Sequence, residues 1–158
     1  MIYQDLLDAG LLASYAAALN SRAGGAHAPG RLTAEELRDR ILESGGRCEW
    51  CGCSLVNAAF ELDHILSLSR GGANKASNLV LSCPDCNRKK GQKHPARFAA
   101  EIHLRTGRKT ALVMRVFERY GIEPARQNAL FAAEAPELEK PNNPLSGQLE
   151  PTSYSWPE

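Results

Sequence analysis

A small, helix-dominated α+β fold, with two short strands and a helix clamped by a structural metal site, is what this 158-residue sequence predicts, on three observations. Two Cys-x2-Cys pairs, Cys48 with Cys51 and Cys83 with Cys86, frame the middle of the chain. Two short apolar runs bounded by turn residues lie between them, and the apolar spacing on both flanks is helical. Each pair presents two thiolates from one tight turn, and four such ligands close a tetrahedral zinc site with no open position. So small a core gains from this clamp, because zinc binding is coupled to folding. Four buried free thiols at this double spacing are the weaker reading. Cys53 is left over and reads as a small apolar residue beside the first knuckle.

The segment "IYQDLLDAGLLASYAAALN" sets Leu6, Leu7, Leu11, Leu12, Tyr15 and Leu19 near helical spacing, as one amphipathic helix or two short ones broken at Gly10. Residues 21–30 collect glycine and proline and read as a mobile linker. Thr33 with Glu36 then spells a capping box, Leu37, Ile41 and Leu42 make one helical face, and Gly45-Gly46 stops it. "AAFELDHIL" and "NLVLSC" read as the strands, with "SRGG" as a turn and "ANKAS" as loop. Proline suits a first helical turn, so a helix starts near Pro84. "PARFAAEIHLRTG" and "KTALVMRVFERYG" are two more helices closed by Gly107 and Gly121. The N- and C-terminal helices are expected to pack together beside the core. Beyond about residue 134, five prolines and few aliphatics suggest a disordered or partner-dependent tail. The expected organisation is a helical segment over 1–46, a core over 47–95, a helical extension over 96–133 and the tail over 134–158.

An apolar content of 43% is ordinary for one soluble domain. No apolar run approaches the ~20 residues that span a bilayer. The N-terminal "MIYQDLLDAG" carries acids where a secretory signal carries Lys or Arg, so a cytoplasmic location is expected, in keeping with an odd cysteine count. The net charge of +1 hides an asymmetry: residues 88–119 hold ten Lys/Arg against two acids, and residues 120–158 hold two against six. A charge run is often only a solvated helix face. Placed directly after the last cysteine, this one favours phosphate contact.

Between the cysteine pairs the chemistry sharpens. Asp63, His64, Asn78 and Asn87 offer oxygen and imidazole groups suited to a second, harder ion and to proton transfer. The order of "CEWCG", "ELDHI", "RGGANKASNLVLSC" and "CPDCNRKKG" resembles the HNH endonuclease family, in its zinc-ribbon-supported branch with a ββα-metal (His-Me finger) site, over about residues 47–95. The resemblance implies that His64 is the general base on the attacking water and that Asp63 binds the catalytic divalent ion. It further implies that Asn78 holds the loop across the two strands and that Asn87 is the second protein ligand, a His-Asn-Asn variant. Mg2+ or Mn2+ is the implied ion, DNA the implied substrate, and 5'-phosphate with 3'-hydroxyl the implied ends.

Adjacent strand residues point to opposite faces, so Asp63 and His64 need a local twist or bulge to serve one cleft. Glu61 faces with Asp63 in a regular strand and either assists the ion or lies at a solvated edge. Arg88, Lys89, Lys90 and Lys93 are candidates to hold flanking phosphates, positioning rather than reading bases. Trp50 reads as a packing lid, and His94 and His103 lack partners at ligand spacing. Two other functions stand beside the nuclease: a non-catalytic zinc-stabilised nucleic-acid-binding module, and an effector in a larger phage or defence assembly, docked on a protein partner through the N-terminal helices or the acidic tail.

Overall fold

Leu12, Ala16, Leu19 and Ala23 form one buried stripe along a single helix, α1 (Ala9–Gly25), in the computed structural model of the chain, which describes residues 9–122. These residues belong to the first of two units, Met1–Gln127; the second, Asn128–Glu158, and the expected tail lie outside the described residues, as do Leu6 and Leu7. The helix runs through Gly10 and on to Gly25, so the linker expected from residue 21 begins five residues late. Burial of Ala23 explains the extension, since packing of the stripe outweighs the ~1 kcal/mol that a glycine costs in a helix.

The second helix, α2 (Ala34–Glu43), starts on a complete capping box: Thr33 Oγ1 accepts from the Glu36 amide at 3.1 Å, and Glu36 Oε2 accepts from the Thr33 amide at 2.9 Å. Leu37 and Ile41 are fully buried, one turn apart. Leu42, expected beside them, is 52% exposed, because it lies about 100° further round the helix. Arg40 takes the inner position instead. Its Nε donates to the Leu79 carbonyl at 2.9 Å and its other nitrogen pairs with Glu49, which in turn accepts from the Leu81 amide at 2.7 Å.

Strands β1 (Glu61–His64) and β2 (Leu79–Ser82) pair antiparallel, Glu61 opposite Ser82 and His64 opposite Leu79. The four pairs are in simple register, so the bulge expected between Asp63 and His64 is absent. Every residue of β2 is buried, which its uninterrupted apolar run anticipates. The connection between the strands folds through two 3-10 turns, Leu68–Arg70 and Ala76–Asn78. Gly72 in it has no substitute, since a Cβ there would lie 1.9 Å from the Leu66 carbonyl oxygen. Three helices follow: α3 (Pro84–Lys90), α4 (Pro95–Thr106) and α5 (Ala111–Tyr120). The principal helix contacts are α1 on α2 and α4 on α5. Trp50 is a core residue: its ring meets Phe98 edge-on at 5.0 Å. Among the described residues no helix is long and apolar enough to cross a membrane.

Candidate active site

The first knuckle folds because its own backbone closes: the Gly52 amide donates to the Cys48 carbonyl at 2.7 Å and the Cys48 amide to that of Cys53 at 2.9 Å. The second is the start of α3, where Cys83 is the N-cap and its sulfur accepts from the Cys86 amide. Sγ atoms of Cys48, Cys51, Cys83 and Cys86 all lie within 4.8 Å of one another. The side-chain hydrogen bond from Cys86 holds Cys48 down at about 4, while that same bond raises Cys86 and burial raises Cys83. Four thiolates packed this closely repel one another, so they ionise together only around a cation. Such a donor set can hold zinc. Burial and the neighbouring sulfurs push the spare thiol, Cys53, up to about 12.

Because Cys86 precedes Asn87, the thiol cluster also fixes the residue beside it. Asn87 lies against β1, where its Nδ2 donates to the Glu61 carboxylate. A carboxylate only accepts, so the amide nitrogen faces Glu61 and the Asn87 oxygen is turned elsewhere. On the same face the buried Asp63 Oδ2 is paired with Lys90 Nζ, 2.8 Å away. Burial pushes the Asp63 carboxyl up; the Lys90 ammonium pulls it back without cancelling the rise. A carboxylate and an amide oxygen are a fitting donor pair for a hard divalent cation, although the Lys90 ammonium already stands beside Asp63.

His64 leaves the regular strand on the other face. It is 8% exposed, and its Nε2 is 3.1 Å from Asn74 Oδ1. Burial lowers its pKa, and the Asn74 contact opposes that shift. Asn78 binds the connection shut: its Oδ1 accepts from the Leu66 amide at 3.0 Å, and its Nδ2 donates to the carbonyls of Leu66 and Ala73, both at 2.9 Å. The Ile65 amide adds a bond to the Asn78 carbonyl at 2.7 Å. Asn78 therefore acts on the loop that follows His64.

The four candidate phosphate-binding cations divide. Arg88 and Lys89 are exposed, and Lys93 is half-buried against Glu101 at 2.6 Å. Lys90 differs from the expectation of a phosphate contact: it is fully buried and its ammonium donates 2.7 Å to the His64 carbonyl, inside the domain rather than toward solvent. Arg70 and Arg97, which sequence reasoning passed over, join Arg88, Lys89 and Lys93 around a basic cleft. His94 caps α4 and His103 sits edge-on to Phe117.

Residues 48–93 match the family model described as HNH endonuclease. This segment, 46 of the chain's 158 residues, takes in the two strands, α3 and the cysteine cluster. The chain is also similar to the Type IV methyl-directed restriction enzyme EcoKMcrA of Escherichia coli (strain K12), 34% identical over 68 residues. That alignment covers 39% of this chain and 24% of the relative, so the chain matches about a quarter of that protein's length. No solved structure matches the chain.

Proposed function

We propose that the protein is a metal-dependent DNA endonuclease that leaves 5'-phosphate and 3'-hydroxyl ends. The observation that carries this reading is the cluster at β1 inside the HNH-matching segment: Asp63 and Asn87 gather on the face toward α3, and His64 is the next residue of the strand. In-line displacement at phosphorus needs a base on one side of the phosphate and a stabiliser of the leaving oxygen on the other. Both must face one cleft, so the end of β1 has to twist for His64 to reach the phosphate that Asp63 and Asn87 would hold.

In this reading His64 accepts a proton from water as the water oxygen bonds to phosphorus. The bond from phosphorus to the 3'-oxygen breaks, and that oxygen is protonated from solvent. A divalent ion such as Mg2+ or Mn2+, held by Asp63 and Asn87, would supply charge neutralisation on the phosphoryl oxygens and the departing 3'-oxygen. Asn78 keeps the loop after His64 in place. Arg88, Lys89 and Lys93 hold flanking phosphates without reading bases. Zinc at the four cysteines is structural. Backbone contacts carry no sequence information, so either cleavage is weakly specific or a partner delivers the target.

A second reading, a zinc-stabilised binding module without hydrolysis, is favoured by the Lys90 ammonium beside Asp63, which supplies a positive charge where the ion is needed. Plasmid nicking by zinc-loaded wild type and His64→Ala, with Mg2+ or Mn2+, separates the two. The nuclease reading expects cleavage by wild type and a loss of about 10²- to 10⁴-fold in the variant at unchanged helicity. DNA binding without cleavage in either protein supports the module instead.

A further inference from the structure

A chain of side-chain amides runs from α1 to His64. Asn20 sits near the end of α1 and grips the backbone of Leu32 at both ends: its Oδ1 accepts from the Leu32 amide at 2.8 Å and its Nδ2 donates to the Leu32 carbonyl at 2.9 Å. A backbone N–H only donates and a carbonyl only accepts, so the two ends of the Asn20 amide are fixed without ambiguity. The same Asn20 Oδ1 accepts from Asn74 Nδ2 at 2.8 Å. That assignment turns Asn74 Oδ1 toward His64 Nε2, 3.1 Å away. An amide oxygen cannot donate, so His64 Nε2 must carry the hydrogen.

The scaffold around the two amides is tight. Asn74 is fully buried, and its backbone amide donates to the Pro29 carbonyl at 2.8 Å. Gly30 passes over it with φ +99, where a Cβ would lie 2.7 Å from the Asn74 carbonyl oxygen. The segment between α1 and α2 is thus pressed against Asn74 at a position that favours glycine both by conformation and by space.

We propose that Asn74, aimed by Asn20, is a positioning residue that locks neutral His64 in its Nε2-protonated tautomer and leaves Nδ1 as the basic nitrogen. The tautomer of a histidine in β1 is then set by the backbone of Leu32, delivered through two side chains. The further consequence, that Nδ1 receives the proton of the attacking water, rests on the nuclease reading. A wrong tautomer would present a hydrogen where a lone pair is needed, which is costly in catalysis even when the ring stays in place.

The test is the 15N signature of His64 in the zinc-loaded, histidine-labelled full chain at about pH 8, where an unperturbed imidazole is neutral. Wild type is expected to show a single Nε2–H tautomer. Asn20→Ala frees the Asn74 amide to turn over, so both tautomers are expected; Asn20→Asp, which keeps the acceptor facing Asn74, is expected to restore the Nε2–H form. In nicking assays Asn20→Ala should lower kcat ~10-fold or more with little change in KM, as loss of an orienting partner does. A wild-type spectrum dominated by the Nδ1–H form, or a signature unmoved in Asn20→Ala, overturns the proposal. The wild-type spectrum alone decides if a variant fails to fold. A locked tautomer in a protein that does not cleave DNA keeps the lock and rejects the nuclease reading.

Discussion

Lys90 Nζ stands 2.8 Å from Asp63 Oδ2 and donates to the His64 carbonyl at 2.7 Å, so one buried ammonium joins the last turn of α3 to two adjacent residues of β1. Its fully buried position makes it a brace of the site. Removing one partner of a buried ion pair leaves an uncompensated charge and costs about 3 to 5 kcal/mol. Lys90→Met is therefore expected to lower the urea midpoint strongly. Lys89→Met, at an exposed position paired only with Asp85 across one helical turn, should leave it nearly unchanged. Equal midpoints for the two variants would refute the brace.

With four sulfurs within 4.8 Å of one another and Cys83 serving as the N-cap of α3, loss of the ion should unravel the first turn of that helix and both knuckles. Structural zinc in small folds contributes on the order of 10 kcal/mol of apparent binding free energy. Cys83→Ser, or chelation of wild type, should abolish the cooperative melt, with zinc content falling from one ion per chain. A chelated protein that melts as before would remove zinc from the fold.

Some of this architecture is legible in the sequence and some is not. The cysteine spacing, the Thr33–Glu36 box and the glycine stops at Gly107 and Gly121 are local, and each appears where its spacing indicates. The role of Lys90 was hidden in a basic run, although its position four residues after buried Cys86 puts it on the inward face of α3. That helical phase was the available signal. Asn20 and Asn74 carried none: they lie 54 residues apart, one on α1 and the other in the connection between the strands, and meet only in the fold. Glu61 was half legible, since alternation places it with Asp63 but cannot show that it holds Asn87.

Burial lowers the His64 pKa, and that has a sign in both activity and stability. A neutral imidazole is the active base, so nicking should persist below the ordinary histidine range near pH 6.5 before its acid limb begins. In the unfolded chain His64 takes its proton at the ordinary value, whereas the folded chain resists it. The unfolded state therefore binds more protons in that window, and stability falls as pH drops from about 6.5 toward the folded value. His64→Gln should flatten this slope in urea titrations across pH; an unchanged slope would assign it elsewhere.

The basic cleft makes a quantitative claim on binding. Arg70, Arg88 and Arg97 line it from the strand connection, α3 and α4. If each contacts a phosphate, replacing one by Gln should reduce the slope of log K against log salt by about 0.9 for duplex DNA, without changing which sequence is preferred. A variant that weakens binding at constant salt slope would act through the fold and not through phosphate.

Glu61 gives the sharpest check on the proposed ion site, because its effect runs through Asn87 and not through the ion itself. As a carboxylate it accepts only, which forces the Asn87 nitrogen toward it and frees the Asn87 oxygen. Glu61→Gln keeps the shape but offers both a donor and an acceptor, so the Asn87 amide can turn over and present nitrogen to the cation. Outer partners of metal ligands are worth about 10- to 100-fold in affinity or activity. The Mg2+ concentration needed for half-maximal nicking should rise by that order in Glu61→Gln, with the thermal midpoint preserved and kcat recovered at high Mg2+. A fall in kcat that extra Mg2+ does not restore would place Glu61 in the chemistry itself, and no change at all would leave Asn87 without an orienting partner and weaken its assignment as a ligand.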